Sequence, residues 1–183
     1  DDEELEIKNG DYDPKSLSRA LKEAEIQKAI PDIYRMMIPK EKRKDFPTLV
    51  YVPSVYLVHD VVQNFEEQFN GEVVVKGWTG DSVSSQQIQQ EMKEYNEGKI
   101  DVLVLCEMGG RGINLPRARA LIDGYPTLSP NKLEQRHGRP LRKIREGSSY
   151  EKEGFKKPFS LVAQIFPKSN SFRPYMLPDL LDC

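Results

Sequence analysis

Residues 134–145, EQRHGRPLRKIR, carry five Arg or Lys side chains in twelve positions. A helix that needed only solvation would intersperse Glu among them. Arg139 and Arg142 stand three apart, so one helical turn projects both guanidiniums the same way. Gly138 is permissive and Pro140 lacks an N–H, which predicts an interrupted helix just before the pair. Such a break could orient both guanidiniums on one anion, since guanidinium donors grip phosphate oxygens in pairs. The competing reading is a solvated charged face.

Three other segments could face a ligand. They are YVPSV (51–55), GWTGDS (77–82) and CEMGGRGINLP (106–116), each following an apolar run. Glycines there would let backbone N–H groups approach phosphate, or would simply turn the chain. Among single residues, Trp78 is expected half-buried, with base stacking as the alternative. Cys106 reads as a small strand-end residue, and His59 as a surface or satisfied helical residue. His137 lies inside the cationic cluster and is assigned no catalytic role. KEKRK (40–44) reads as a solvated connector.

Composition narrows the partners. Lys+Arg number 27 against 29 Asp+Glu, a net charge of −2, so the total charge does not announce a nucleic-acid or membrane partner. Local cationic clusters must therefore be weighed separately. Apolar residues make up 38% and charged residues 31%, the balance of a globular domain with long charged loops. A chain of 183 residues can bury about 70% of its unfolded surface in one core. The two cysteines, Cys106 and Cys183, suggest neither a disulfide framework nor a zinc site. A reducing compartment is expected, cytoplasmic or nucleoid/nuclear. No apolar stretch approaches 18 residues, so no membrane partner is expected. The start DDEELE, without Met, suggests a piece of a longer protein.

The elements that must position these segments follow from periodicity. Residues 1–13 are acidic and turn-punctuated, and are expected to be mobile. Residues 14–38 have helical spacing, broken or kinked at Pro31. With the charged connector they form an N-terminal helical arm or linker, 14–46. From 47 the rhythm changes. Strands are predicted at 48–52, 72–78, 100–106, 119–125 and 159–166. Helices are predicted at 54–69 with Ser54 as N-cap, at 84–98 ended by Gly98, and at 129–137 capped by Ser129 with Pro130 first. Strands alternating with helices at this spacing imply an α/β domain with a mainly parallel sheet covered on both faces, over 47–166. Residues 145–158 read as a polar surface insertion, and 167–183 as a tail without clear period.

In their order and spacing, TLVYVPS, GWTGDS, VLVLCEMGGRGINLP and LEQRHGRPLR resemble motifs IV, IVa, V and VI of the second RecA-like domain of superfamily 2 helicases. GGRGINLP looks like that family's Arg-Gly-x-Asp-x-Pro segment. QRHGRPLR looks like its Gln-Arg-x-Gly-Arg-x-x-Arg signature, the most specific match. IDGYPTLSP is similar to the branch of RadD-like proteins and restriction-enzyme translocases, and so favours DNA over RNA. The resemblance implies a three-layer RecA-like domain plus the helical arm. It implies an ATP-dependent helicase or translocase whose ATP and Mg2+ are held mainly by an N-terminal RecA-like domain of the same protein.

Residue by residue, the resemblance makes Arg142 an arginine finger and puts Arg139 on the same phosphate. Gln135 would couple that site to the neighbouring domain. Such a finger is worth about 10³–10⁵ in rate in related NTPases, roughly 4–7 kcal/mol of barrier. Asn114, Arg111 and Gly112 would serve the nucleotide side. Pro53, Ser54, Gly80, Cys106 and Gly109 would lie along the nucleic-acid backbone, giving sequence-independent contact. The chain departs from the pattern at four places. Cys106 replaces a hydroxyl residue, SSQQIQQ stands where Gln-x-x-Arg is usual, Asn114 stands for Asp, and GRPLR replaces the more frequent Gly-Arg-x-Gly-Arg while keeping both Arg positions. No G-x-x-x-x-G-K-[ST] loop occurs in these residues. By itself this chain is therefore expected neither to hydrolyse nor to bind ATP tightly. Two rival readings remain. One is a RecA-like module that grips nucleic acid or protein without completing an ATPase. The other is an unrelated flavodoxin-like or nucleotide-sugar enzyme, which would leave the ordered motifs to chance.

Overall fold

The computed structural model describes residues 5–79, 85–106, 115–141, 157, 159–166, 174 and 176, and of residues 85 and 139–141 the backbone. The chain opens on a hairpin, β1 (Ile7–Lys8) against antiparallel β2 (Asp11–Tyr12). Asn9 and Gly10 turn it with φ of 53° and 76°, the left-handed pair a two-residue hairpin turn requires. Tyr12 is buried, so this stretch is tied down where the sequence suggested mobility.

Asp13 caps α1 (Pro14–Glu23) by accepting the Ser16 N–H at 3.1 Å, with Pro14 in the first turn. The helical run then breaks at Ala24–Glu25, not at Pro31. Glu25 takes a left-handed φ of 53°, and α2 (Ile26–Met37) runs through Pro31 without interruption. A proline costs the helix one hydrogen bond. Burial of Ile26, Ile30, Pro31 and Tyr34 along one face offsets that loss. Ile26, Ile30 and Tyr34, with Leu17 and Leu21 of α1, belong to the same core as the sheet. A 3-10 turn, Lys40–Asp45, leads on. In it Arg43 lies against the Phe69 ring at 4.8 Å and meets Glu72, so KEKRK is partly packed rather than wholly solvated.

The body alternates β3 (Thr48–Val52), α3 (Val55–Phe69), β4 (Val75–Trp78), α4 (Ser85–Asn96), β5 (Val102–Cys106), β6 (Ala120–Asp123), α5 (Pro130–Leu141) and β7 (Leu161–Gln164). The five strands from β3 to β7 form one parallel sheet, ordered β4-β5-β3-β6-β7. Every residue of β3, β5 and β6 is buried, as expected of central parallel strands covered on both faces. β4 starts later than the apolar run suggests. Asn70 and Gly71 both turn with positive φ, and the Val74 N–H donates to the Asp101 carboxylate rather than to a strand. Gly77 lets α3 close on β4: a Cβ there would lie 2.6 Å from Val58 Cγ1.

This strand order fixes the crevice. From β3 the chain crosses outward to β4, whereas from β6 it crosses the other way to β7. Right-handed crossovers then place α3 and α5 on opposite faces. The carboxyl ends of neighbouring strands that depart in opposite directions frame a cleft, the usual place for a ligand in such sheets.

Candidate nucleotide and nucleic-acid site at the strand carboxyl ends

Pro53 and Ser54 follow β3 at one side of that cleft. Ser54 stands at the N-cap of α3, yet its hydroxyl makes no cap bond, and its Oγ is buried without a partner. Cys106 ends β5, with its Sγ 3.9 Å from the Trp78 carbonyl oxygen. Trp78 is fully buried, not half-buried, and its Nε1 donates to Glu91 of α4. That indole is committed to holding α4 against the sheet.

The other side of the cleft is built on β6 and α5. Ser129 Oγ accepts the Lys132 N–H at 3.5 Å, and Pro130 takes the first helical position, as the sequence predicts. The helix does not stop at Gly138. It runs through Pro140 to Leu141. Pro140 forfeits one backbone bond, and the buried inner face of α5, Leu133, Arg136 and His137, keeps the helix in place. Those three recur at the spacing of one helix face. Gln135 is exposed, away from that inner face, and the backbone position of Arg139 follows it at i+4 and follows Arg136 at i+3. Arg142, Arg111, Gly112, Asn114, Gly80 and Gly109 lie outside the described residues.

Asp123, the last residue of β6, joins helix to sheet. It is fully buried, and His137 Nε2 lies 2.8 Å from its Oδ2. An ionised carboxylate can only accept, so Nε2 donates. Arg136 Nη1 lies 3.5 Å from Oδ1, and the Tyr125 N–H donates to the same oxygen at 3.2 Å. The Arg136 guanidinium also sits over the Tyr125 ring at 4.8 Å. One cation of the basic cluster is therefore internal structure. A buried carboxylate of this kind survives only when paired and hydrogen-bonded. His137, assigned no catalytic role from the sequence, is part of this internal structure, and Asp123 is the residue that the sequence alone does not single out. The usable signal was a charge closing an apolar strand, with Arg and His three and four residues after Leu133 on the following helix.

Outside the cleft, Asp11 of the hairpin reaches the loop ahead of α5. It accepts from Thr127 Oγ1 at 2.8 Å and the Leu128 N–H at 2.8 Å, and it pairs with Lys132 at 3.0 Å. Burial pushes its carboxyl up. The bonds from Leu128, Thr127, Lys132 and the Tyr12 N–H outweigh this and hold it below the ordinary carboxylate value. Among the described residues no group of His, Cys, Asp and Glu could hold a metal, and no helix is long and apolar enough to cross a membrane.

A parallel sheet in this order, with a mounted helix presenting Gln135 beside the carboxyl ends, is the architecture of a RecA-like lobe. Residues 26–143 match the helicase conserved C-terminal domain, and the chain belongs to that family. No curated protein sequence matches the chain. Its fold is similar to domain 2 of the DEAD-box helicase Mss116p bound to an RNA duplex, with 15% identity, a TM-score of 0.57, and coverage of 80% of this chain and 61% of that one. It is also similar to the helicase domain of Pyrococcus furiosus Hef, with 17% identity, a TM-score of 0.52, and coverage of 85% and 30%. A third similar structure is the helicase MrfA bound to DNA and AMPPNP, with 16% identity, a TM-score of 0.55, and coverage of 78% and 18%. The chain thus spans 61% or less of these three.

Proposed function

We propose that this chain is the second motor domain of an ATP-dependent nucleic-acid helicase or translocase. ATP and Mg2+ would sit mainly on a first RecA-like domain of the same protein, where the metal would neutralise phosphate charge. This chain's residues would complete the pocket from across the cleft. Arg142 and Arg139 would stabilise negative charge developing on the transferred phosphoryl group, and Gln135 would couple the two lobes. Asn114, Arg111 and Gly112 would meet the nucleotide from the segment after β5. Pro53, Ser54, Gly80, Cys106 and Gly109 would track the sugar-phosphate backbone, and the unengaged Ser54 hydroxyl suits a phosphate contact.

The observation that carries this reading is α5 itself. Its inner face is bolted to Asp123, and this leaves Gln135 exposed, facing away from the domain's own core. Mss116p is bound to RNA and MrfA to DNA, which supports nucleic acid as the partner class. DNA is favoured by the likeness of IDGYPTLSP to RadD-like proteins and restriction translocases. A reducing compartment, cytoplasmic or nucleoid/nuclear, suits such a partner.

The test is Arg142→Ala in the full-length protein. Nucleic-acid-stimulated ATPase should fall about 10³-fold or more, with strand affinity within a few-fold. Unchanged hydrolysis would instead assign a binding module that never completes an ATPase. The 183-residue chain alone should show no turnover at a motor's rate.

A further inference from the structure

The hairpin β1–β2 has a position that the motor reading does not use. It precedes both helices of the arm, yet its Asp11 bridges 116 residues of sequence to Thr127 and 117 to Leu128. It also pairs with Lys132 in the first turn of α5. The hairpin is itself held. The Asp13 N–H donates to the Glu6 carbonyl at 2.7 Å, Lys8 pairs with Asp13 at 3.0 Å, and Tyr12 is buried in the core. The Thr127 hydroxyl also accepts the Ser129 N–H at 3.1 Å, so Asp11 sets the residue that caps α5.

Helix α5 is therefore mounted at two places. Asp123 grips Arg136 and His137 in its second half, and Asp11 grips its start from outside. A rod held at one point can rock, whereas a rod held at two cannot. Without Asp11, α5 would lose the anchor at its start and could rock about its Asp123 end. A rock of about 10° about a single point moves a group about 6 Å away by about 1 Å, and a 1 Å misplacement can cost about 10²-fold in rate.

We propose that Asp11 is a positioning residue for ATP hydrolysis: the N-terminal hairpin clasps the loop before α5 and holds the helix that precedes Arg142 in its working orientation. The proposal rests on the motor reading above. Asp11 touches no nucleotide and acts only through the helix.

The experiment compares Asp11→Ala, Asp11→Asn and Thr127→Val in the full-length protein, each alone and on Arg142→Ala. It measures kcat and KM for nucleic-acid-stimulated ATPase, strand affinity and thermal melting. Asp11→Ala and Thr127→Val should each lower kcat about 10- to 100-fold, with KM and strand affinity within about threefold. Asp11→Asn keeps an acceptor for the Leu128 N–H and should restore most of kcat. On Arg142→Ala the further loss should be less than about threefold, because the guanidinium being positioned is gone. Unchanged kcat in both Asp11→Ala and Thr127→Val would overturn the clasp. So would a loss that only follows the folded fraction, or one that repeats in full on Arg142→Ala. Hydrolysis unaffected by Arg142→Ala would overturn the motor reading itself, a separate result.

Discussion

Two aspartates are closed inside opposite ends of the sheet, and their partners differ. Asp101, 3% exposed just before β5 at the amino end, spends its carboxylate on the Val74 N–H and on Lys44 at 2.7 and 2.9 Å. Its own backbone bridges Val74 and Thr48. Lys44 is mostly exposed and brings its charge in from solvent. Asp101 stitches a connector to strand starts, and nothing mounted on it has to aim. Asp123, 0% exposed at the carboxyl end, instead holds side chains of a helix whose other face presents Gln135. Both ends bury a charge. Only the carboxyl end uses the buried charge to mount a helix whose other face stays exposed.

The largest effect should come from Asp123→Asn. It leaves the Arg136 guanidinium buried without its counter-charge, and should cost about 3–5 kcal/mol by chemical denaturation. ATPase per folded full-length molecule should fall as well, by about 10²-fold, because α5 loses its inner anchor. Stability loss with unchanged specific activity would erase the contrast with Asp101.

A second prediction sharpens the amino end. Lys157, ahead of β7, has a buried Nζ with no hydrogen-bond partner. Burial, and then the nearby Arg119 guanidinium, push its ammonium down to about 8. Arg119 is already committed to the Asp45 carbonyl at 3.0 Å and to the Phe46 ring at 4.1 Å. The folded pKa lies below the unfolded one, so the unfolded chain binds more protons above about pH 8. Stability should therefore rise from about pH 8 to about pH 9.5, below the range where tyrosines ionise. Lys157→Met should flatten this rise and add about 1–3 kcal/mol at pH 7, after discounting for partial exposure. A melting temperature equally pH-dependent in both proteins would count against the buried ammonium.

The smallest effect belongs to Asp101→Asn. The amide oxygen still accepts the Val74 N–H, and only the pair with a mostly exposed lysine is lost. Stability should drop by about 1 kcal/mol, with ATPase per folded molecule unchanged. A specific-activity loss like that of Asp123→Asn would show that both ends orient the site.

Much of the sheet was legible. TLVYV and VLVLC are rich in apolar and β-branched residues because both faces of a central parallel strand are covered, so their strands follow from composition. Ser129-Pro130 announced the start of α5. The hairpin was equally written, as Asn9-Gly10 between short runs, but acidic neighbours masked it and its stability comes from Tyr12 in the core and Asp11 on a distant loop. Pro31, Gly138 and Pro140 misled for one reason. An interior proline costs a helix about 3 kcal/mol or more, and a buried face can offset that. Periodicity reports the face, but not how deeply its neighbours will cover it. Trp78 was misjudged likewise, since its burial depends on where α4 lands.

By itself the sequence determined the alternation of strands and helices, the parallel sheet, and the likeness to a helicase C-terminal domain. These are local facts, set by period, caps and turn chemistry within a few residues. Only the tertiary structure decided that the N-terminal helices belong to the core, that Arg136 of the basic cluster faces inward, and that α5 is fastened by Asp123 on one side and Asp11 on the other. Those outcomes join residues from 13 to 121 positions apart. A buried charge takes whichever partner the completed fold brings within reach.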